Sequence, residues 1–314
     1  MISLLLAKKI AELFLVLVMG YVITKAGVVS EEGSLGISKL SLYLIIPCCL
    51  LDAFQIDLTA EVAGGLAVAF AGGFLCQGVL ILLGEAAAKL FHMNAVEKTS
   101  TQYSNAGNLI IPLVNYILGP EWVVYCTGFM VAENIGFWSH CVSQFAPSGS
   151  QGASLLKRVV KIVTNVNILA IIAGVVLMLL HIRLPEIAGS AVADVGDMLG
   201  AVSMLIIGMN FARMDLRSLF RNKRVWLVLL LRMIIFPILT MTLLKLLRLE
   251  SLTSNARDVL LITNLAAMAP AGATITQFAQ IYHKEPEYAS AINVLTTLSC
   301  IITMPFMVAL YEAW

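Results

Sequence analysis

The sequence predicts an all-α polytopic membrane protein with ten transmembrane helices. They form two inverted five-helix repeats, with helices 4 and 9 broken. Three observations predict it. First, 60% of the 314 residues are hydrophobic and only 12% are charged, against about 45–50% and about 25% in soluble domains. Second, two long apolar segments are each interrupted by Gly, Pro and polar residues. Third, the interruptions fall at corresponding places in two halves of the chain, which a polar hinge separates.

A hydrocarbon core about 30 Å thick takes roughly 20 apolar residues per helix. Apolar runs of that kind place spans at 4–24, 35–54, 62–90, 98–118 and 121–145, then at 157–181, 190–212, 223–247, 257–282 and 287–312. In the first, an apolar run follows Lys8-Lys9 without an A-x-A cleavage site, so it reads as a span and not as a signal peptide. The second contains Pro47, and the third is long enough to tilt. A Gly/Ser-rich stretch, Ala146-Pro-Ser-Gly-Ser-Gln-Gly152, follows the fifth. It makes 146–156 a hinge loop between a first repeat, 1–145, and a second, 157–314. An odd number of spans per repeat makes the second enter from the opposite face, so the repeats are inverted.

The fourth span carries Ser104, Asn105, Gly107, Asn108 and Pro112 within nine positions. Gly disfavours a helix, Pro removes a donor, and two amides introduce polar groups that hydrocarbon cannot satisfy. The ninth carries Pro270, Ala271 and Gly272, then Thr274, Thr276 and Gln277. Shifting the chain by 166 residues aligns the two breaks, with Tyr116 on Tyr282 and Pro120 on Pro286. Broken backbone persists in a bilayer only where protein packs on it or it lines a wet cavity. Paired breaks of this kind are the sequence mark of a secondary-transporter site.

Lys and Arg set the orientation. Thirteen fall on one face, six on the face holding both termini, and Arg232 falls inside the eighth span. The richer face is predicted to be cytoplasmic. Loops 146–156 and 213–224 then lie inside and both termini outside, with the plasma (inner) membrane as the expected location.

Interruption of the fourth span between Asn105 and Pro112 would expose the N–H groups and positive dipole end of a half-helix, which suit a carboxylate. Glu133 and Asn134 lie mid-way along the fifth span. Glu133 is a candidate proton carrier or ion ligand, or a hydrogen-bonded structural carboxyl. His140 and Gln144 extend a polar track or mark the end of the span. Thr274, Thr276 and Gln277 are candidate cation ligands, or bond carbonyls freed by Pro270. The six cysteines form no CxxC and read as buried small residues, and no metal or cofactor site is expected. No basic surface for nucleic acid, no GxxxxGK[ST], no HExxH and no GxSxG occur, which argues against a nucleotide-driven pump and against an enzyme.

Asn105-Ala-Gly107 with Ile110-Ile-Pro112-Leu113, Ala269-Pro-Ala271, Ala289-Ser290, Thr296-Thr-Leu-Ser299 and Thr303-Met-Pro305 together resemble the auxin efflux carrier family, in the short form of its bacterial members. The resemblance covers the whole chain. Ser104 stands where plant members have proline, and Ile110 where glycine is common. The resemblance implies a fold like that of bile-acid/sodium symporters, with the broken helices 4 and 9 crossed. Helices 1, 2, 6 and 7 would form a scaffold, often dimeric, and helices 3–5 and 8–10 a moving transport domain. It implies substrate contact by Asn105 and a pocket-lining Asn134.

The expected function is a carrier, secondary active or facilitated, for a small organic anion, most simply a carboxylate. It would work by alternating access. Asn105, Asn108, Asn134, Pro270 and Ala271 would form the site, Ser104, Gly107, Pro112 and Gly272 would shape the crossover, and H+ or Na+ would be the coupling ion. A sodium-coupled symporter and an anion channel are the alternatives.

Overall fold

The computed structural model describes residues 2–145, 160, 162–213 and 222–313. The predicted hinge 146–156 and most of the 213–224 loop lie outside the described residues. Helices account for nearly all of the rest, and no strand forms among the described residues. In chain order they are α1 (Ile2–Lys25), α2 (Glu31–Leu40), α3 (Ile46–Ala53), α4 (Ala60–Phe91), α5 (Ala95–Gln102), α6 (Ala106–Ile117), α7 (Cys126–Gly136), α8 (Val142–Phe145), α9 (Val166–Leu179), α10 (Glu186–Asp197), α11 (Leu199–Ala212), α12 (Lys223–Leu230), α13 (Phe236–Leu246), α14 (Ala256–Ala267), α15 (Ala273–Ile281) and α16 (Pro286–Ala313).

Among the described residues, five stretches are long and apolar enough to cross a membrane: Glu31–Ala53, Ala60–Phe91, Glu186–Ala212, Lys223–Leu246 and Pro286–Ala313. Helices α6 and α9 are shorter apolar helices. Local sequence explains the ends. Thr59 caps α4 through the N–H of Val62, and Asn94 with Glu97 forms a capping box on α5. Asn165 caps α9 by accepting from the N–H groups of Asn167 and Ile168.

Two prolines leave a shared signature. Pro47 and Pro237 are each preceded by a π-helical turn, at Ser41–Ile45 and at Leu231–Ile235. Proline cannot donate to the preceding turn and clashes with it. The wider turn lets each helix continue without a full break. A third π-turn, Phe137–Cys141, follows α7.

The helices pack in two groups. In one, α1 lies along α11, and α3 packs on α9 and α10. The approach of α1 to α11 is so close that a Cβ on Gly208 would overlap the carbonyl oxygen of Leu17. In the other, α4 packs on α7 and α14, α5 on α12, and α15 on α16. The groups meet where α16 packs on α1 and through α6, which touches α1 and α11 on one side and α7 and α14 on the other.

Candidate functional site

Sequence placed the first break between Asn105 and Pro112. In the structure it comes earlier, at Tyr103–Asn105, and Gly107, Asn108 and Pro112 lie inside α6. The helix accommodates Pro112 and leaves the carbonyl of Asn108 without its usual i+4 donor. The second break spans Met268–Gly272. Thr274, Thr276 and Gln277 all sit in α15, where Gln277 is exposed.

The two breaks meet. Ser104 and Ala271 form an antiparallel bridge. The Asn105 N–H donates to Pro270 O at 2.8 Å, and the Gly272 N–H donates to Tyr103 O at 3.1 Å. Contact is tight enough that a Cβ on Gly272 would lie 2.7 Å from Ser104 O.

Every backbone group freed by a break inside a membrane needs a partner, and here most partners are identifiable. Thr101 O, abandoned by Asn105, accepts from Arg232 Nη1 at 3.2 Å. Gln102 O accepts from Gln77 Nε2 at 3.3 Å. The Ser104 N–H and its hydroxyl both donate to Glu133 Oε1 at 2.6 Å. In the second break, Ala269 O accepts from Arg232 Nε at 2.9 Å and Nη2 at 2.7 Å. The Ala271 N–H donates to Thr296 Oγ1 at 3.1 Å, and Ala271 O accepts from Asn293 Nδ2 at 2.5 Å. The partners of Ala271 thus come from α16 and not from the Thr residues of α15.

What the accounting leaves open is directional. Helices α6 and α15 both begin at the crossover, at Ala106 and Ala273, and neither N-cap side chain closes the first turn. Two positive helix ends therefore converge on the crossover. Asn105 (5% exposed) and Asn108 share the α6 face there, joined by a 2.8 Å bond from Asn108 Nδ2 to Asn105 Oδ1. Asn108 Oδ1 also accepts from Ser203 Oγ of α11 at 3.2 Å. Asn134 is half-buried, and its amide donates back to Met130 O at 2.9 Å. Met130 is the residue that a Cβ on Gly107 would meet. The structure so brings together Ser104, Asn105, Asn108, Glu133, Pro270, Ala271 and Gly272. It does not bring Thr274, Thr276 or Gln277 into that bonded set.

Compared with known proteins, the chain matches the family model described as "Membrane transport protein" over residues 5–308. It belongs to the auxin efflux carrier family. None of the curated proteins matches it. This family is one of membrane-embedded transporters and not of enzymes.

Two further features of this carrier accompany the crossover. A cavity of about 570 Å³ lies further along α6, toward its C-terminal end, lined by Lys9 and Glu12 of α1, Pro112, Asn115 and Tyr116 of α6, Asp197 of α10 and Gly200 of α11. Lys9 Nζ sits 3.3 Å from Glu12 Oε2 and 4.3 Å above the Tyr116 ring. On another side, Tyr103 is fully buried, its hydroxyl 3.1 Å from Gly136 O and 2.9 Å from His140 Nδ1. His140 and Lys98 both reach Glu85 Oε1, at 3.1 and 3.0 Å, and Lys98 donates to Gln144 at 2.6 Å. His140 and Gln144 are therefore members of a polar cluster.

Sequence reasoning left Arg232, Gln77, Asn293 and Thr296 without a role at the site. Arg232 carried a usable signal, being a lone charge within an apolar span. The other three are short polar groups whose partners are backbone atoms distant in sequence, a relation that composition does not encode.

Proposed function

We propose that this transporter carries a small organic anion, most simply a carboxylate, by alternating access, with the substrate held at the crossing of the two broken helices. The observation that supports this is the convergence of the α6 and α15 N-termini, uncapped by their own N-cap residues, beside Asn105 and Asn108. Free N–H groups and positive helix ends favour an anion. Asparagine amides supply further donors without adding a charge. Asn134 lines the proposed pocket, and Pro270 and Ala271, whose backbone groups are already bonded to Asn105, Thr296 and Asn293, shape its wall.

The architecture behind it is read as ten spans in two inverted repeats, with both termini outside. The paired packing supports that reading. The contact of α1 with α11 has its counterpart in α9 with α3. Likewise α14 on α4 answers α5 on α12, and α15 on α16 answers α6 on α7. The first group of helices is then the scaffold, and the second, with α6, the moving transport domain. Glu133 is the proposed proton carrier. A Glu133→Gln variant that transports at the wild-type rate under an imposed proton gradient would remove it from that role.

The anion site is tested by thermal unfolding of the purified protein with a panel of mono- and dicarboxylates, for wild type and Asn105→Ala. A ligand that binds only the folded state raises the melting temperature by mass action. The expected result is a shift with wild type that disappears in Asn105→Ala. No shift across the panel with a folded protein would reject the carboxylate assignment.

A further inference from the structure

Arg232 is, among the described residues, the largest side chain buried completely, at 0% exposed. An isolated buried cation is strongly disfavoured unless negative groups surround it. Three such sources meet here. Thr101 O lies at the C-terminal end of α5, and Ala269 O just past the C-terminal end of α14, where helix dipoles are negative. Glu133, which holds Ser104, lies within Coulombic reach. Arg232 itself sits in the π-turn Leu231–Ile235 that Pro237 forces on the helix, and such turns often mark functional positions.

The four half-helix ends at the crossover therefore divide by sign. The two negative ends face Arg232, and the two positive ends face the proposed anion pocket. A metal cation co-transported with the substrate would seek those same carbonyl oxygens, and the guanidinium already occupies them. We propose that Arg232 is the resident cation of the crossover: it takes the place of a coupling metal ion and holds the two breaks in register for the substrate. It acts through the backbone and does not touch the substrate, so it is a positioning residue. The pocket half of this statement rests on the anion reading above; the cation half does not.

The test uses the full chain in detergent and needs no known substrate for its first arm. Wild-type melting is compared in sodium, potassium and choline chloride at matched ionic strength. It is expected to be the same in all three, and a sodium-specific rise would overturn the proposal. In the second arm, Arg232→Ala is expected to melt lower than wild type and to be restored in part by low guanidinium but not by equal urea, the neutral isostere. Equal response to both would reduce Arg232 to packing and overturn its role as a cation. In the third arm, succinate is the probe. Arg232→Lys, which keeps the charge, is expected to retain the succinate shift. Arg232→Met is expected to weaken binding about tenfold or more, as losing one charge-assisted hydrogen bond does. A folded Arg232→Met with wild-type melting and an unchanged succinate shift also overturns the proposal. Failure of succinate to shift wild type rejects succinate as a substrate and leaves the first two arms to decide the role of Arg232.

Discussion

Ser104 donates twice to one oxygen of Glu133, once from its backbone and once from its hydroxyl. The two donors are not equivalent to a mutation, because Ser104→Ala removes only the hydroxyl. A hydrogen bond to a charged group contributes about 1.5–3 kcal/mol, and the loss is larger when a buried partner is stranded. Ser104→Ala is therefore expected to destabilise by about 1.5–3 kcal/mol, and Glu133→Ala by more, since it strands the Ser104 N–H in addition. The double variant should fall short of the sum, with a coupling of about 1 kcal/mol. Equilibrium unfolding in mild detergent measures the cycle, and strict additivity would show that the two side chains are not coupled. Glu133 was legible in the sequence as a carboxylate amid apolar residues, and so was Asn105. That Ser104 joins them was not, because its partner lies 29 positions away and a serine in an apolar run usually bonds its own helix. Arg232 shows the same limit more sharply, with carbonyl partners 37 and 131 positions distant.

At the scale of elements, the sequence located both breaks and missed the register of the first. Gly107 and Pro112 drew the first break toward themselves, yet α6 runs through both. The break lies instead where the backbone can pair with the second one, a tertiary condition that no local propensity expresses. Gly272 is the residue on which that pairing depends. Its φ of −66° is available to any residue, so the demand is one of space: a Cβ would stand 2.7 Å from a backbone oxygen that no rotamer change can move. Gly272→Ala is expected to push α15 from Ser104, lower the melting temperature by several degrees and abolish the carboxylate-induced shift. Gly78, in the interior of α4, is the control, since a Cβ there meets nothing within 4 Å. Gly78→Ala is expected to stabilise by about 0.4–1 kcal/mol through the unfolded chain. Equal effects at the two positions would mean that the crossover is not closely packed. The π-turns before Pro47 and Pro237 were legible only as prolines, because a proline in an apolar run predicts a distortion without stating its kind.

On the scale of the whole molecule, hydropathy alone exposes a membrane protein, and the family match fixes it as a transporter. The relative motion of its parts is a separate matter. Alternating access requires the helix group that carries the site to move against the group that does not. The contact to follow is Asn108–Ser203, a single 3.2 Å hydrogen bond between α6 and α11. It lies beside the cavity walled by Pro112 and Gly200. A lone hydrogen bond beside a cavity is weak enough to break during each cycle, since its net contribution is about 0.5–1.5 kcal/mol. Replacing the neighbouring Pro112 and Gly200, which face each other between the same two helices and lie outside the proposed pocket, by cysteine puts a switch there. Only Cys48 and Cys49 of the native thiols are partly exposed, so removing those two suffices to make a short thiol-specific cross-linker selective. The linked carrier, reconstituted in vesicles, is expected to stop exchanging labelled substrate and to resume when the link is cleaved. A linked carrier that keeps its uncross-linked rate would show that α6 and α11 stay together through transport. The moving boundary would then have to run elsewhere than between these two helices.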